Sequence, residues 1–548
     1  MSLKLIVLVA ILLTILPTIH AFTSRTSLSL RPRQVASSTS NERPRSYKAY
    51  YFEQLIDHFP DSDRYAPHTN ATFSQKFFFD DTYYKPGGPV FLYIGGETSA
   101  ESRWSNLQTG IIQILMNATN GLGVILENRY YGTSYPYNAS TTDELRFLTN
   151  EQTIADNAYF AQNIQFPNIT GGQDLTASAT PWILYGGSLA GAETAFSLVE
   201  YEGLLWGGIA SSAVIHATHG YPEWYNPIQK FGPQDCIWRI NKIIDKMDQL
   251  VEENNEPAIQ KLKELFGLGA LEDIRDFAYT IAFPIGGPDS YPTNTWQELN
   301  WVPAYDAPDF FQFCNNVTDD SAPTDITDVD RALSEYTHGE PWTGLGGYAK
   351  YVKDVVVSQC PSEDLINTSA CFSTQNASNW AEPKNSGGRS YTYSSCTESG
   401  AYQVANYPNK PSLISRVIQL DYTQQWCNWA FPPGPLAPQA APSPNGPNLK
   451  RYNKYGGLEI SARRLAFIDG ESDVWRDVCF HSHNATERYG PNQMLITGAG
   501  HHWDSYGILN VDAEPDFIKA AHQWEIRRVE TWLKEWELED RRKVTTIN

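Results

Sequence analysis

Short, uninterrupted apolar runs recur along the chain and predict buried β-strands. Four runs lie before residue 215 and two lie after residue 460. Because each run is continuous rather than alternating, we expect strands that are covered on both faces, as in a parallel sheet. The runs are Val90–Ile94, Val124–Leu126, Trp182–Tyr185, Gly208–Ala210, Leu465–Ile468 and Met494–Ile496.

Helical patterns separate these runs, so the sequence predicts an α/β protein built on a parallel sheet. The last helix is predicted from Asp516 to Arg541, where apolar side chains at helical spacing form a stripe that packs on the sheet. The stripe consists of Phe517, Ala521, Trp524, Val529, Trp532, Leu533 and Trp536.

The alternation of such apolar runs with helical patterns stops between residues 215 and 450, which predicts an inserted domain. This stretch contains helical patterns such as Ala258 to Ile274, and a proline-rich run from Pro432 to Pro447 forms its exit. We therefore expect a discontinuous sheet domain over residues 48–214 and 451–548. A helical, disulfide-containing cap over residues 215–450 would lie between its two halves.

The N-terminus is predicted to be a cleaved secretory signal over residues 1–21. It has one early lysine, Lys4, an apolar run from Leu5 to Leu16 and a small residue at Ala21. A membrane anchor is the alternative, but the run is too short to span a bilayer comfortably, and no other segment approaches about 20 apolar residues. Residues 22–47 are predicted to be a disordered leader. We expect an extracellular protein, or one in an acidic lysosome-like or vacuole-like compartment.

Secretion predicts oxidised cysteines and attached glycans. Six cysteines between Cys236 and Cys427 permit up to three disulfides, whose connectivity the sequence leaves open, and Cys479 is expected to be a buried free thiol. About half of the Asn-x-Ser/Thr sequons are expected to carry glycans. The sequon asparagines are Asn70, Asn117, Asn138, Asn168, Asn316, Asn367, Asn376 and Asn484.

Composition and charge narrow the class of protein. With 41% hydrophobic and 19% charged residues the chain is globular, and its formal net charge of −21 argues against nucleic acid and anionic membrane as partners. The absence of a C-x-x-C pair disfavours a zinc ribbon or a thioredoxin-like site. His481 and His483 could suggest a metal site, but a polar loop is favoured because no third ligand has suitable spacing.

A candidate nucleophile, Ser188, follows the third apolar run. A serine on a sharp strand-to-helix turn needs unusual backbone angles and very small neighbours, as in the nucleophile elbow of hydrolases. Gly186, Gly187, Ala190 and Gly191 meet that need, although Ala190 stands where the G-x-S-x-G pattern has its second glycine. An ordinary strand-to-helix turn is the alternative.

A serine hydrolase of this kind also needs an acid and a histidine, in the chain order Ser, Asp, His. Asp469 and Asp473 follow the fifth apolar run, and His501 and His502 lie on a glycine-flanked loop after the sixth. This order and placement favour a catalytic triad over three unrelated turn and surface residues.

Several sequence blocks, in the same order along the chain, resemble the prolyl carboxypeptidases and dipeptidyl-peptidase II, with the related thymus-specific serine peptidase and secreted acid prolyl endopeptidases. The resemblance covers nearly the whole mature chain. It implies an α/β-hydrolase fold with a helical cap inserted between the serine and the acid. The blocks are Tyr51–Phe59, Phe91–Glu97, Ile125–Pro136, Phe147–Phe160, Tyr185–Gly191, Glu264–Ala278, Ser394–Gln403, Asp469–Asp477 and Gly498–Tyr506.

The resemblance assigns a role to each triad residue. It implies that Ser188 is the nucleophile, Asp473 the acid and His501 the general base. His502 would be a neighbour that tunes His501. Neither a metal nor an organic cofactor is expected for this chemistry.

The resemblance also implies an oxyanion hole formed by the backbone N–H groups of Leu189 and Gly96. Three positions depart from the family pattern. Leu189 replaces an aromatic residue, Asn128 replaces a histidine and Val474 replaces a proline. Because none of these changes removes a triad atom, they bear on substrate preference more than on chemistry.

Cleavage after proline, often at acidic pH, is the activity that the resemblance implies, with an aromatic pocket where the cap meets the sheet. Glu97 and Glu398 are candidates for binding a substrate terminus. A carboxylate facing the site would favour removal of dipeptides, whereas an exposed basic group would favour carboxypeptidase action. The candidate pocket residues are Trp426, Trp429, Trp475 and Trp503.

Two other functions stay open on the sequence alone. An esterase or lipase on the same fold would use the same triad, and a secreted binding protein could keep the fold without catalysis. The sequence also leaves open whether cleavage is internal or terminal, and whether two chains form a homodimer.

Overall fold

The computed structural model describes residues 46–169, 173–286, 296, 300–302, 309–361 and 368–547. The predicted signal peptide, all but the last two residues of the predicted leader, and the sequon asparagine Asn367 lie outside these residues. Among the seven sequon asparagines that are described, six are exposed and Asn316 is half-buried.

Among the residues that the structure describes, ten strands form two sheets. The strands are β1 Tyr50–Leu55, β2 Thr72–Asp80, β3 Val90–Ile94, β4 Leu122–Leu126, β5 Trp182–Gly187, β6 Gly207–Ser211, β7 Thr218–Gly220, β8 Gly400–Tyr402, β9 Leu465–Gly470 and β10 Gln493–Ile496. The large sheet has the order β1-β2-β4-β3-β5-β6-β9-β10, and β7 pairs with β8 alone. Pairings of β2 with β1 and β4 are antiparallel, and all other neighbours in the large sheet are parallel.

This mostly parallel sheet, with helices on both faces, is the α/β-hydrolase fold, so the predicted fold class is confirmed. All six predicted strands are present. Strands β1 and β2 were not predicted. In β2 the polar residues Gln75 and Lys76 interrupt the apolar run. Residues on β1 alternate between exposed and part-buried positions at the sheet edge, as shown by Tyr51, which is 60% exposed. A rule that looks for continuous apolar runs does not detect an edge strand of this kind.

Helices pack on both faces of the sheet. Along β3, Phe91 and Tyr93 join one apolar core with the C-terminal helix, and Leu92 and Ile94 join a second core on the opposite face. The helices outside the 215–450 stretch are Trp104–Gln108, Ile111–Thr119, Asn150–Asn163, Leu189–Glu200 and Asp516–Ile547.

The C-terminal helix Asp516–Ile547 packs largely as predicted. Ala521, Val529 and Trp532 are buried against the sheet. Phe517, however, is 37% exposed, so its assignment to the buried stripe was wrong. It lies one residue from the helix start, where the chain has only just reached the sheet.

The stretch between residues 215 and 450 is helical apart from β7 and β8, among the residues that the structure describes. Its exact boundaries as a cap domain stay a prediction. Its α-helices are Asn226–Phe231, Gln234–Glu252, Glu256–Leu265, Ile274–Ile281, Asp309–Val317, Thr324–Thr327, Leu345–Tyr351, Ser369–Phe372, Ala377–Ala381, Gly387–Ser394, Leu420–Thr423 and Gln425–Ala430, and Leu449–Asn453 follows at its end. Two π-helical turns are Val352–Val356 and Ser395–Ser399.

One predicted helical segment is broken in the structure. The pattern from Ala258 to Ile274 spans the end of helix Glu256–Leu265 and the start of helix Ile274–Ile281. Gly267 adopts φ +72°, and its N–H donates to the carbonyl of Glu264. A glycine in the left-handed region ends a helix at low steric cost, which explains the break.

The cysteines behave as predicted. Three disulfides join Cys236 to Cys314, Cys360 to Cys371 and Cys396 to Cys427. Cys479 is a buried free thiol, and burial raises its pKa well above the ordinary value. Within the described part of the chain, the helices are too short or too polar to cross a bilayer.

Candidate active site

Ser188 occupies a strained turn between β5 and the helix Leu189–Glu200. Its backbone angles are φ 60° and ψ −124°, an uncommon conformation for a residue other than glycine. The N–H of Ser188 donates to the carbonyl of Ser211, at the end of the adjacent strand β6, at 2.9 Å. Such strain is typical of a nucleophile elbow, which lifts the hydroxyl above the ends of the strands.

The residues around Ser188 must be small for physical reasons. A Cβ on Gly186 would lie 2.1 Å from the carbonyl oxygen of Ala190, and one on Gly191 would lie 2.8 Å from that of Ser211. Ala190 is tolerated where the motif has its second glycine because it faces Gly96. A Cβ added to Gly96 would lie 3.4 Å from the Ala190 Cβ, so a larger pair would be crowded.

Asp473 and His501 are brought together from the loops after β9 and β10. His501 Nδ1 lies 3.0 and 2.9 Å from the two carboxylate oxygens of Asp473. Asp473 is 1% exposed and also accepts a hydrogen bond from the N–H of Trp475 at 2.8 Å. With Nδ1–H donating to the carboxylate, Nε2 is the nitrogen that can take a proton from a serine.

The alternative acid, Asp469, has a different partner. Its Oδ2 lies 2.6 Å from His481 Nδ1 and accepts the His481 N–H at 3.0 Å. His483 Nδ1 in turn lies 2.7 Å from Asp477. No group of three or more metal-ligating side chains occurs among the residues that the structure describes.

His502 packs directly behind the elbow. A Cβ on Gly187 would lie 3.1 Å from His502 Cγ, and on the other side the imidazole stacks on Tyr506 with centroids 5.6 Å apart. The His502 N–H donates to Ser212 Oγ at 2.8 Å. Burial lowers the pKa of His502 well below its ordinary value, and positive charge on His501 and Arg103 lowers it further. The side chain is therefore a neutral spacer between the elbow and the His501 loop.

The two residues predicted to form an oxyanion hole lie on the helix after Ser188 and in the loop after β3. Leu189 is the first residue of its helix, so its N–H has no partner within that helix. Gly96 adopts φ +70° and lies opposite Ala190. Arg103 Nε fixes this loop by donating to the carbonyl of Gly95 at 3.1 Å.

The predicted aromatic pocket residues divide into two kinds. Trp475 is half-buried, stacks on Tyr221 and has its ring centroid 6.5 Å from that of His501. Trp426 is buried and stacks on Trp380 with centroids 5.0 Å apart, so it belongs to an aromatic core. Trp429 and Trp503 are half-buried.

The two candidate glutamates also differ. Glu97 follows Gly96 directly, and its Oε2 is buried without a hydrogen-bond partner among the described residues. Glu398 is engaged inside the protein. It pairs with Arg64 at 2.6 Å and accepts two hydrogen bonds from Asn150, one from the backbone and one from the side chain, both at 2.9 Å. These contacts make Glu398 a cap for the helix Asn150–Asn163, so we do not carry it forward as a substrate-binding residue.

A buried carboxyl near the elbow was missed from the sequence. Glu193 lies on the helix that follows Ser188 and is 3% exposed. Asn128 Nδ2 donates to both of its oxygens, at 2.9 and 2.8 Å. Burial raises the pKa of Glu193 to about 8 despite these bonds, and the charges of Glu97 and Asp156 act in the same direction. An acid within the small and apolar run Ala190 to Phe196 was the feature that could have revealed it.

Comparison with known proteins identifies the family of this chain. The profile of the family described as "Serine carboxypeptidase S28" matches residues 54–523. A "Probable extracellular serine carboxypeptidase" of Arthroderma benhamiae is 36% identical over 508 residues, covering 89% of this chain and 68% of that protein. "Serine protease vicPb" of Bipolaris victoriae is 26% identical and covers 93% of both chains. The "Thymus-specific serine protease" of Homo sapiens is 24% identical, covering 89% of this chain and 87% of that protein.

Proposed function

We propose that this chain, which belongs to the serine carboxypeptidase S28 family and is a serine peptidase, cleaves peptides after proline through Ser188, Asp473 and His501. The contact between His501 Nδ1 and Asp473, formed beside a strained serine turn, is the observation that carries the proposal. The relatives' names support peptide substrates. Three disulfides and an extracellular relative support a secreted protein.

The mechanism follows from the position of each group. His501 Nε2 takes the Ser188 hydroxyl proton while Oγ attacks the peptide carbonyl, and Asp473 stabilises the resulting imidazolium. The N–H groups of Leu189 and Gly96 stabilise the negative oxygen, each by about 3 kcal/mol in comparable enzymes. His501 then protonates the leaving amine, and water hydrolyses the acyl-enzyme by the same route.

Trp475 supports the proline preference. Its indole lies close to His501 and stacks on Tyr221, so it offers a rigid apolar face beside the reacting groups. A proline ring is compact and apolar, and its nitrogen carries no hydrogen, so an aromatic face suits it without requiring a hydrogen bond. Trp475→Ala should therefore raise KM for proline peptides more than for alanine peptides.

Buried carboxyls support activity at acidic pH. The pKa of Glu193 is raised to about 8 by burial, and burial raises the pKa of Glu525 well above its ordinary value. Both groups are protonated, and thus free of buried charge, in acid.

Two side chains of opposite charge lie at the oxyanion loop and could bind a substrate terminus. Glu97 has the charge to hold a free amino group, and Arg103 has the charge to hold a free carboxylate. We expect Glu97→Gln to weaken cleavage of peptides with a free amino terminus by about tenfold if dipeptides are released. Arg103→Gln should instead weaken cleavage of peptides with a free carboxyl terminus if the enzyme is a carboxypeptidase.

Hydrolysis of matched peptides between about pH 4 and pH 7 tests the proposal. One set carries proline before the scissile bond, with a free amino terminus, a blocked amino terminus or a free carboxyl terminus. A second set replaces proline by alanine, and simple esters form a third. Cleavage that needs proline and disappears in Ser188→Ala is the expected result. Cleavage of esters alone, or activity that survives in Ser188→Ala, would refute it.

A further inference from the structure

A buried aspartate, Asp504, ties the loop that carries His501 to the strand that leads to Ser188. Asp504 is 1% exposed. Its Oδ2 accepts a hydrogen bond from the hydroxyl of Tyr185, on β5 three residues before Ser188. Its Oδ1 accepts one from Ser211 Oγ, at the end of β6, at 2.6 Å. We call residues 498–506 the histidine loop; Asp504 holds this loop against both strands at the elbow.

A second carboxyl, Glu525, lies beside Asp504. It belongs to the C-terminal helix and is 0% exposed. Neither of its oxygens accepts a hydrogen bond from a donor among the described residues. Asp504 is its neighbour, since His522, three residues earlier on the same helix, has its Nε2 2.9 Å from the Asp504 carbonyl. Burial, together with the charge of Asp504, raises the pKa of Glu525 well above its ordinary value.

The hydrogen bonds indicate which of the two carboxyls carries a proton. Both oxygens of Asp504 accept hydroxyl protons, which is the behaviour of an ionised carboxylate. Glu525 accepts no hydrogen bond of this kind from a donor among the described residues. A negative charge on Glu525, in this buried place, would be repelled by the charge of Asp504. Glu525 therefore carries a proton and can donate it to Asp504.

We propose that Asp504 and Glu525 share one proton, and that this shared proton holds the histidine loop in register with Ser188. The proposal rests on the proposed function for its catalytic meaning. Both are positioning residues, because they act through the loop and touch neither substrate nor the reacting atoms. Loss of the proton would place two carboxylates side by side at the base of the histidine loop, and the loop would move away from the elbow.

Other titratable groups surround the pair on every side. His522 Nε2 faces the Asp504 carbonyl and its Nδ1 faces Glu514, both at 2.9 Å. Because its imidazole is held by these two acceptors, His522 binds the backbone of Asp504 and not the shared proton. The titratable groups that face the pair are Tyr93, Tyr185, Glu514 and His522.

Thermal unfolding tests the shared proton without any substrate. A folded protein that holds an extra proton is stabilised in acid and loses that stability as pH rises. Tm of the unaltered protein should fall between about pH 5 and pH 8, and Tm of Glu525→Gln, whose amide donates without titrating, should fall less. Glu530→Gln, on the exposed face of the same helix, is the matched control and should follow the unaltered protein. Parallel curves for Glu525→Gln and the unaltered protein would overturn the shared proton.

Labelling of Ser188 by a fluorophosphonate, followed with pH, tests the positioning role. We expect the labelling rate of Glu525→Gln, relative to that of the unaltered protein, to increase as pH rises. Asp504→Asn should lower kcat about tenfold to a hundredfold with little change in KM, because a small displacement of a catalytic group is costly. A difference in Tm with identical labelling curves would overturn the positioning role. Absence of labelling in every variant would contradict the proposed function, whereas the unfolding curves would still decide the shared proton.

Discussion

Asp469, near the end of β9, and Asp473, in the loop after it, lie four residues apart and differ in the histidine that each contacts. Asp473 contacts His501, whereas Asp469 contacts His481. We expect Asp473→Asn to lower kcat about ten-thousandfold with little change in folding, because an amide cannot stabilise the imidazolium or hold the correct tautomer. Asp469→Asn should keep most of the activity and cost about 1–3 kcal/mol of stability through its weakened contact with His481.

Kinetics and urea unfolding of the two variants measure these effects separately. Comparable losses of kcat in both would contradict the assignment of the acid.

The same two aspartates show the limit of prediction from sequence for a single residue. Chain order and strand position admit Asp469 and Asp473 equally, and the resemblance alone favoured Asp473. What distinguishes them is a contact across 28 residues of chain, which no local pattern encodes.

The elbow and the histidine loop meet at Gly187, so a larger residue at this position should displace one element relative to the other. A Cβ at this position would lie 3.1 to 3.3 Å from the His502 ring, so the loop would have to shift by a few tenths of an ångström. We expect Gly187→Ala to fold and to lose about tenfold to a hundredfold in kcat, since His501 moves with its neighbour. Gly490→Ala, where a Cβ meets nothing within 4 Å, is the control and should be unaffected.

Steady-state kinetics and near-UV circular dichroism of the two alanine variants would check this. A Gly187→Ala enzyme with unchanged kcat would mean that the loop does not depend on the elbow for its position. Near-native circular dichroism with reduced kcat is the result that separates a local shift from general unfolding.

Strands and helices were predictable where burial alone determined their hydrophobic pattern. Five of the six predicted strands, β3, β4, β5, β6 and β9, lie inside the sheet with every residue buried, so their continuous apolar runs were sufficient to find them. The edge strand β1 and the break at Gly267 were missed, because β1 alternates between exposed and part-buried positions and a single glycine can end a helix inside a helical pattern. Strand β2 lies between β1 and β4 and was missed because the buried polar residues Gln75 and Lys76 interrupt its apolar run.

Glu193 and Glu525 were missed for another reason. Their partners, Asn128 and Asp504, lie on other elements of the chain, so no local pattern reveals the contacts.

Across the whole molecule, several buried carboxyls make the folded protein less stable as pH rises. Burial raises the pKa of Glu193 to about 8, and it raises the pKa values of Glu525, Asp504 and Asp248 above their ordinary values. A raised pKa in the folded state gives stability that is present below the unfolded pKa and is lost as pH rises through the folded pKa. Each such group changes the free energy of unfolding by up to about 1.4 kcal/mol per pH unit over that window.

Carboxyls whose pKa is lowered in the folded state set the acidic limit of the pH range in which the protein is most stable. Hydrogen bonds and ion pairs to Lys76 and to Lys454 lower the pKa values of Glu101 and Glu151, against the opposing effect of burial, so their contribution is lost as pH falls. Because these groups are only partly buried, water and salt weaken their effect. We therefore expect maximal stability near pH 5 and a continuous decrease towards pH 8.

Surface charge offers a rival explanation for the same decrease, and salt distinguishes the two. The formal net charge of −21 at pH 7 also grows as pH rises, and repulsion between exposed carboxylates would destabilise the folded chain. Tm should be measured from about pH 4.5 to pH 8 in low salt and again with about 0.5 M NaCl, for the unaltered protein and for Glu193→Gln. If buried carboxyls dominate, the decrease of Tm with pH persists in salt, since salt screens exposed charges and leaves buried ones largely unaffected. The decrease should also be smaller in Glu193→Gln. A slope that vanishes in salt and is identical in the variant would assign the pH dependence to the surface instead.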